Sequence, residues 1–187
     1  MELRVIINPI NGAGAAKRLL SNLFYGCGYN FYRFDSELLA DDLLIRGKLS
    51  QLLRDCRAHL SSLETAFRSQ HRAATGADYA FLSPAAVATA QALLNAQRDL
   101  DAMERTIRGT VVPEFTRFHR RGEVRGALEQ LVMLDGEVVL ALVTLRDAVA
   151  RLDNGAAAAA RMDELLRASD FSALWGRREA LLAGEPA

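Results

Sequence analysis

Between Arg121 and Asp153 the apolar residues recur in steps of four and three: Val124, Leu128, Leu131, Val138, Leu142, Leu145, Val149 and Leu152. Such spacing belongs to a helix that packs along its length against other helices. Asp135 occupies one position of this seam. The stretch from Val138 to Leu145 is apolar nearly all round, broken only by Thr144. A helix apolar on every side needs neighbours on every side. The pattern therefore predicts the central helix of a bundle.

Further helices follow from the same periodicity. Ile45, Leu49, Leu52, Cys56, Leu60, Leu63 and Phe67 mark one long helix over 37–73. Asp35 or Ser36 is suited to cap it, and Glu37, Asp41 and Asp42 place negative charge at its N-terminal end, where the helix dipole favours it. Ser83-Pro84 is a strong helix start, and Val87, Ala90, Leu94, Leu100, Met103 and Ile107 predict the buried face of a helix over 84–108. Asp153-Asn154-Gly155 reads as a stop after the central helix. The alanine run 156–160 begins a last helix through Leu166, and Ser169 or Asp170 recaps a final turn carrying Phe171, Leu174 and Trp175. The expected fold is all-α: about four long antiparallel helices over 36–183, an N-terminal arm over 1–35 and a frayed tail over 184–187.

Composition narrows the function classes. A chain of 187 residues is long enough for one domain with a real core. Lys plus Arg equals Asp plus Glu, at 23 each, so no global charge draws the chain to nucleic acid or membrane. No stretch reaches the ~20 apolar residues that span a bilayer. The N-terminus lacks the apolar core of a secretory signal, and Cys27 and Cys56 alone make no disulfide framework. The expectation is a cytoplasmic protein.

The arm has its own chemistry. Leu3, Val5, Ile6 and Ile7 suit a short strand, which Asn8-Pro9 would end. Asn11-Gly12-Ala13-Gly14 and a short helix from Ala15 to Phe24 follow. A glycine turn leading into a helix N-terminus is a way to cradle phosphate, with Gly12, Gly14 and Lys17 as the candidate residues. The run from Val5 to Lys17 resembles the first phosphate-binding turn of lipid kinases similar to diacylglycerol kinase. Those enzymes continue into an α/β domain with further glycine-rich turns, whereas helical repeats follow here, so the resemblance stays with this turn. Phe24, Tyr25, Tyr29, Phe31, Tyr32 and Phe34 then crowd into eleven positions around Gly26-Cys27-Gly28. Rigid rings on a flexible loop suit a partner surface; as a structural element they would plug one end of the bundle. Arg117, Arg120 and Arg121, interleaved with Phe115 and Phe118, form the one basic patch, suited to a phosphate or acidic partner or to a solvated face.

The search for catalytic chemistry returns little. No Glu-x-x-His pair suggests a di-iron bundle, and His59, His71 and His119 have no partner at ligand spacing. Neither a metal nor a cofactor is called for. Cys56 lies on an apolar stripe and reads as a small buried residue. The leading reading is a non-catalytic helical interaction or scaffold protein that binds a protein partner or itself. The alternatives are a phosphate- or nucleotide-handling enzyme using Asn11 to Lys17, and a peripheral adaptor touching acidic lipid. Asp135, with Gly136 beside it, is expected to set register or a bend, so that Asp135→Leu would raise the melting temperature. Residues 37–183 are expected to fold without the arm.

Overall fold

A computed structural model describes residues 14–29, 38–73, 82–110 and 124–183. The described residues are all-helical: α1 (Gly14–Leu23), α2 (Leu38–Ala73), α3 (Pro84–Gly109), α4 (Val124–Ala150), α5 (Gly155–Ala168) and α6 (Phe171–Ala183). The expected strand at Leu3–Ile7 and the tail 184–187 lie outside the described residues.

Local chemistry sets the helix ends. The Ser83 hydroxyl accepts a hydrogen bond from the Ala86 N–H at 3.2 Å, and Pro84 supplies the first helical residue of α3. Helix α4 ends at Ala150, just before the expected stop at Asp153-Asn154-Gly155; the Asn154 side chain caps α5 by accepting from the Ala157 N–H at 2.8 Å, and Gly155 is the first residue of that helix. Gly155 sits there because it meets the Phe67 side chain, where a Cβ would come within 2.8 Å. The expected final turn is a full helix, α6. Asp170 separates it from α5 with φ of 48°, a left-handed conformation that Asp tolerates better than most residues.

Contacts give the topology. Arg57 meets Asp101, Arg54 meets Glu104, and Arg46 reaches the Ile107 carbonyl, so α2 and α3 run antiparallel. His59 Nε2 contacts the Leu152 carbonyl and Asp42 lies near Asp135 through a shared arginine, so α2 and α4 run parallel. Up, down, up is the order of α2, α3 and α4. As the apolar seam requires, α4 is the hub, packing on α1, α2, α5 and α6. Its seam residues Leu131, Val138, Leu142, Leu145, Val149 and the following Leu152 are all buried.

On α3 the buried face is shifted from the expected one. Ala86, Ala90, Leu93, Ala96, Leu100 and Ile107 face inward, while Val87 is 52% exposed. Three of the six inward positions are alanines, so the packed line is one with little side chain. Weighting positions by apolar bulk selects Val87 instead.

Residues 14–29, expected in a separate arm, join the same core: Leu20, Phe24 and Tyr29 belong to its buried cluster, and α1 packs on α4. Gly136 admits α1. A Cβ there would lie 2.5 Å from the Ala16 Cβ and 3.0 Å from the Ala16 Cα. Gly136 therefore marks the crossing of α1 over α4 and has no need of a bend to explain it. Gly136→Ala gains about 1 kcal/mol of helix propensity but incurs overpacking of about 1–3 kcal/mol against a backbone atom. Urea unfolding is expected to show a net loss of stability, part of which Ala16→Gly restores.

Candidate functional site

The most completely built polar site lies inside the bundle. Arg178, on α6, is fully buried. Its Nε donates to Asp135 Oδ1 at 2.6 Å, and its Nη2 to Asp42 Oδ1 at 2.7 Å. The other Asp42 oxygen accepts from Arg46 Nε at 2.7 Å, one turn along α2. Arg46 Nη1 then donates to the carbonyls of Ile107 (3.0 Å) and Thr110 (2.7 Å), holding the C-terminal end of α3. The side chains of Asp42, Asp135 and Arg178 are at most 2% exposed, and that of Arg46 8%. Two carboxylates and two guanidinium groups thus tie α2, α3, α4 and α6 together out of reach of water.

Trp175 completes the cluster. Its ring lies 5.0 Å from the Arg178 guanidinium carbon and 5.8 Å from that of Arg46. An indole face is a favourable surface for a desolvated cation. Arg46 Nη2 has no hydrogen-bond partner among the described residues. The Trp175 N–H donates to the Thr110 hydroxyl at 3.2 Å, and that hydroxyl donates to Glu179 at 2.5 Å.

On its outer side, Trp175 borders a groove of about 800 Å³ between α3, the C-terminal end of α5 and α6. Met103, Leu166 and Phe171 line it with Trp175, and Asp99, Asp163, Asp170 and Glu179 stand along it. A second cavity of about 390 Å³ lies between α4, α5 and α6 and is mostly apolar, with Leu140, Leu165 and Leu174 in its walls.

Family models, curated proteins and solved structures give no match to this chain. Function is therefore argued from the geometry.

The charged groups of the inner cluster face one another, and the cluster is suited to holding the helices together. Asp135, the seam carboxylate expected to set register or a bend, has a buried cation, Arg178. Asp42, read as a dipole charge at a helix start, is shared between two arginines.

The candidate partner rings divide. Phe24 and Tyr29 are buried and stacked, with centroids 5.1 Å apart, so these two plug the core. Tyr25 is 80% exposed. Phe31, Tyr32, Phe34, Arg117, Arg120 and Arg121 lie outside the described residues, as does Gly12. Gly14 begins α1 and is exposed. Burial lowers the pKa of the Lys17 ammonium, and the Glu129 carboxylate on α4 partly offsets that shift. A carboxylate beside this lysine competes with any phosphate.

Cys56 is 2% exposed, and burial with the nearby Asp55 carboxylate pushes its thiol up to about 11. Cys27 is exposed. Since thiolates are the reactive form, a thiol reagent at neutral pH is expected to label Cys27 rapidly and Cys56 only after unfolding.

The sequence reading missed Arg46, Arg178 and Trp175 as site residues. The available signal was a second seam. Phe171, Trp175, Arg178 and Leu182 are spaced four, three and four, with an arginine where α4 has an aspartate.

Proposed function

We propose that the chain is a non-catalytic helical interaction protein that self-associates through the outer line of α4. One observation carries this reading: Met133 and Leu140, seven residues apart on the hub helix, are 45% and 53% exposed. Helix α4 packs on α1, α2, α5 and α6, yet these two large apolar side chains stay exposed. The line continues into the apolar cavity beside Leu165 and Leu174. Glu137, between the two exposed residues, pairs with Arg177 at 3.4 Å, so the stripe also carries a charge of each sign. A surface bearing both an apolar line and opposite charges suits an isologous contact, in which the same patch serves both copies.

Sedimentation velocity over a dilution series tests the reading. The expected result is a concentration-dependent dimer, abolished by Leu140→Glu without loss of helicity. A monomer at every concentration up to about 100 μM, too weak for a contact of even modest affinity, would overturn it. A melting-temperature increase on adding nucleotide or inorganic phosphate would favour the phosphate-handling alternative, because a ligand bound only by the native state must stabilise it.

A further inference from the structure

The groove between α3, α5 and α6 has a composition that the self-association reading does not use. Each wall is one helix face. Asp99, Met103 and Thr106 follow helical spacing on α3, as do Asp163, Leu166 and Arg167 on α5, and Phe171, Trp175 and Glu179 on α6. Met103 and Leu166 are partly exposed along it, Phe171 and Trp175 lie beneath at 3% and 1% exposure, and carboxylates flank them. Asp99, Asp163 and Asp170 are exposed and form no ion pair among the described residues. Against them stands one lining cation, Arg167, whose Nε is turned back onto the carbonyl of Asp163 at 3.1 Å. Four carboxylates, counting Glu179, therefore face one arginine.

The carboxylates are dispersed. Among the described residues no group of three or more His, Cys, Asp or Glu could hold a metal ion. A single small cation therefore has no coordination sphere here. Charges spread along an apolar trough are complementary to cations spread along an amphipathic rod. Helix-in-groove recognition has this form, with apolar anchors at helical spacing and flanking charges setting orientation.

We propose that this groove binds a basic amphipathic helix of a partner protein. Leu, Met or Phe on its apolar face would lie over Met103, Leu166, Phe171 and Trp175. Lys or Arg on its flanks would meet Asp99, Asp163 and Asp170. The proposal concerns a different surface from the α4 line and stands whether or not the chain dimerises.

Trp175 is the only tryptophan in the chain and lines the groove, so its emission reports on occupancy. The probe is a tryptophan-free, dye-labelled Leu/Lys peptide of about 18 residues, long enough for helical turns to cover the trough. Binding is followed by anisotropy and, with unlabelled peptide, by Trp175 emission. Leu140→Glu provides the background, so that self-association does not enter. Both signals are expected to saturate together at micromolar affinity, about −8 kcal/mol, and to weaken with salt. A charge-reversed Leu/Glu peptide is expected to leave both unchanged. Combined Asp99→Asn, Asp163→Asn and Asp170→Asn substitutions should weaken binding about tenfold or more, which is ~1.4 kcal/mol. Asp99→Asn alone, at an exposed mid-helix position, should weaken it measurably and keeps the test alive if the triple variant fails to fold.

Several results would overturn the proposal. These are equal binding by a folded triple variant, equal binding of the Leu/Glu peptide, and anisotropy that rises while Trp175 emission stays constant. Spermidine matching the peptide's affinity would replace the helix with a small polycation. An emission change on dilution without peptide would assign the groove to a second copy.

Discussion

Arg178→Met should cost about 3–5 kcal/mol, because it leaves two carboxylates buried with their shared cation gone. Asp42 would keep Arg46 at 2.7 Å, but Asp135 would lose the arginine now 2.6 Å away. A domain typically has only ~5–15 kcal/mol of net stability, so this one side chain accounts for a large share. Asp135→Leu should also destabilise, by up to a similar amount: it leaves the fully buried Arg178 guanidinium to share Asp42 with Arg46. This reverses the expectation from the seam pattern alone, under which an apolar residue at 135 would raise the melting temperature. Urea unfolding followed by circular dichroism checks both. A rise in midpoint for Asp135→Leu would mean that Asp42 alone satisfies Arg178.

Trp175→Ala should be comparably damaging, at about 3–5 kcal/mol for loss of a large buried side chain. Here the effect has three parts. The ring packs against Phe171, with centroids 6.0 Å apart. It covers the Arg178 and Arg46 cations. Its N–H links α6 to Thr110 at the end of α3. Trp175→Phe retains most of the burial but loses the hydrogen bond and part of the cation–π attraction, so it should fall between wild type and alanine. Thermal melts of the three proteins decide it. Equal stability of the Phe and Ala variants would mean that indole-specific contacts dominate over volume.

Much of the bundle was legible in the sequence, and the reasons differ by element. The α4 seam is long and regular, so its role as hub followed directly from spacing. Ser83-Pro84 carried a local signal, and the cap at Ser83 is where that signal places it. Other features depended on partners distant in sequence. Asp135 was visible as an anomaly, but its answer lay 43 residues away on α6, and α6 read as a single turn. Once 171–183 is recognised as a helix, an arginine in its seam facing an aspartate in the α4 seam becomes a readable pair. Phe24 and Tyr29 were ambiguous for a related reason: an aromatic cluster looks the same in sequence whether it caps a core or meets a partner. The groove was not legible at all. Asp99, Asp163 and Asp170 share a trough only after three helices have been placed.

The Asp135–Arg178 pair is the clamp between α4 and α6. A double-mutant cycle of Asp135→Leu and Arg178→Met, measured by urea unfolding, tests it most directly. The double variant removes both charges of the pair and leaves Asp42 with Arg46. It should therefore be much less destabilised than the sum of the single variants, with a coupling energy of about 2–3 kcal/mol. Additive losses, with coupling within about 0.5 kcal/mol of zero, would contradict the clamp.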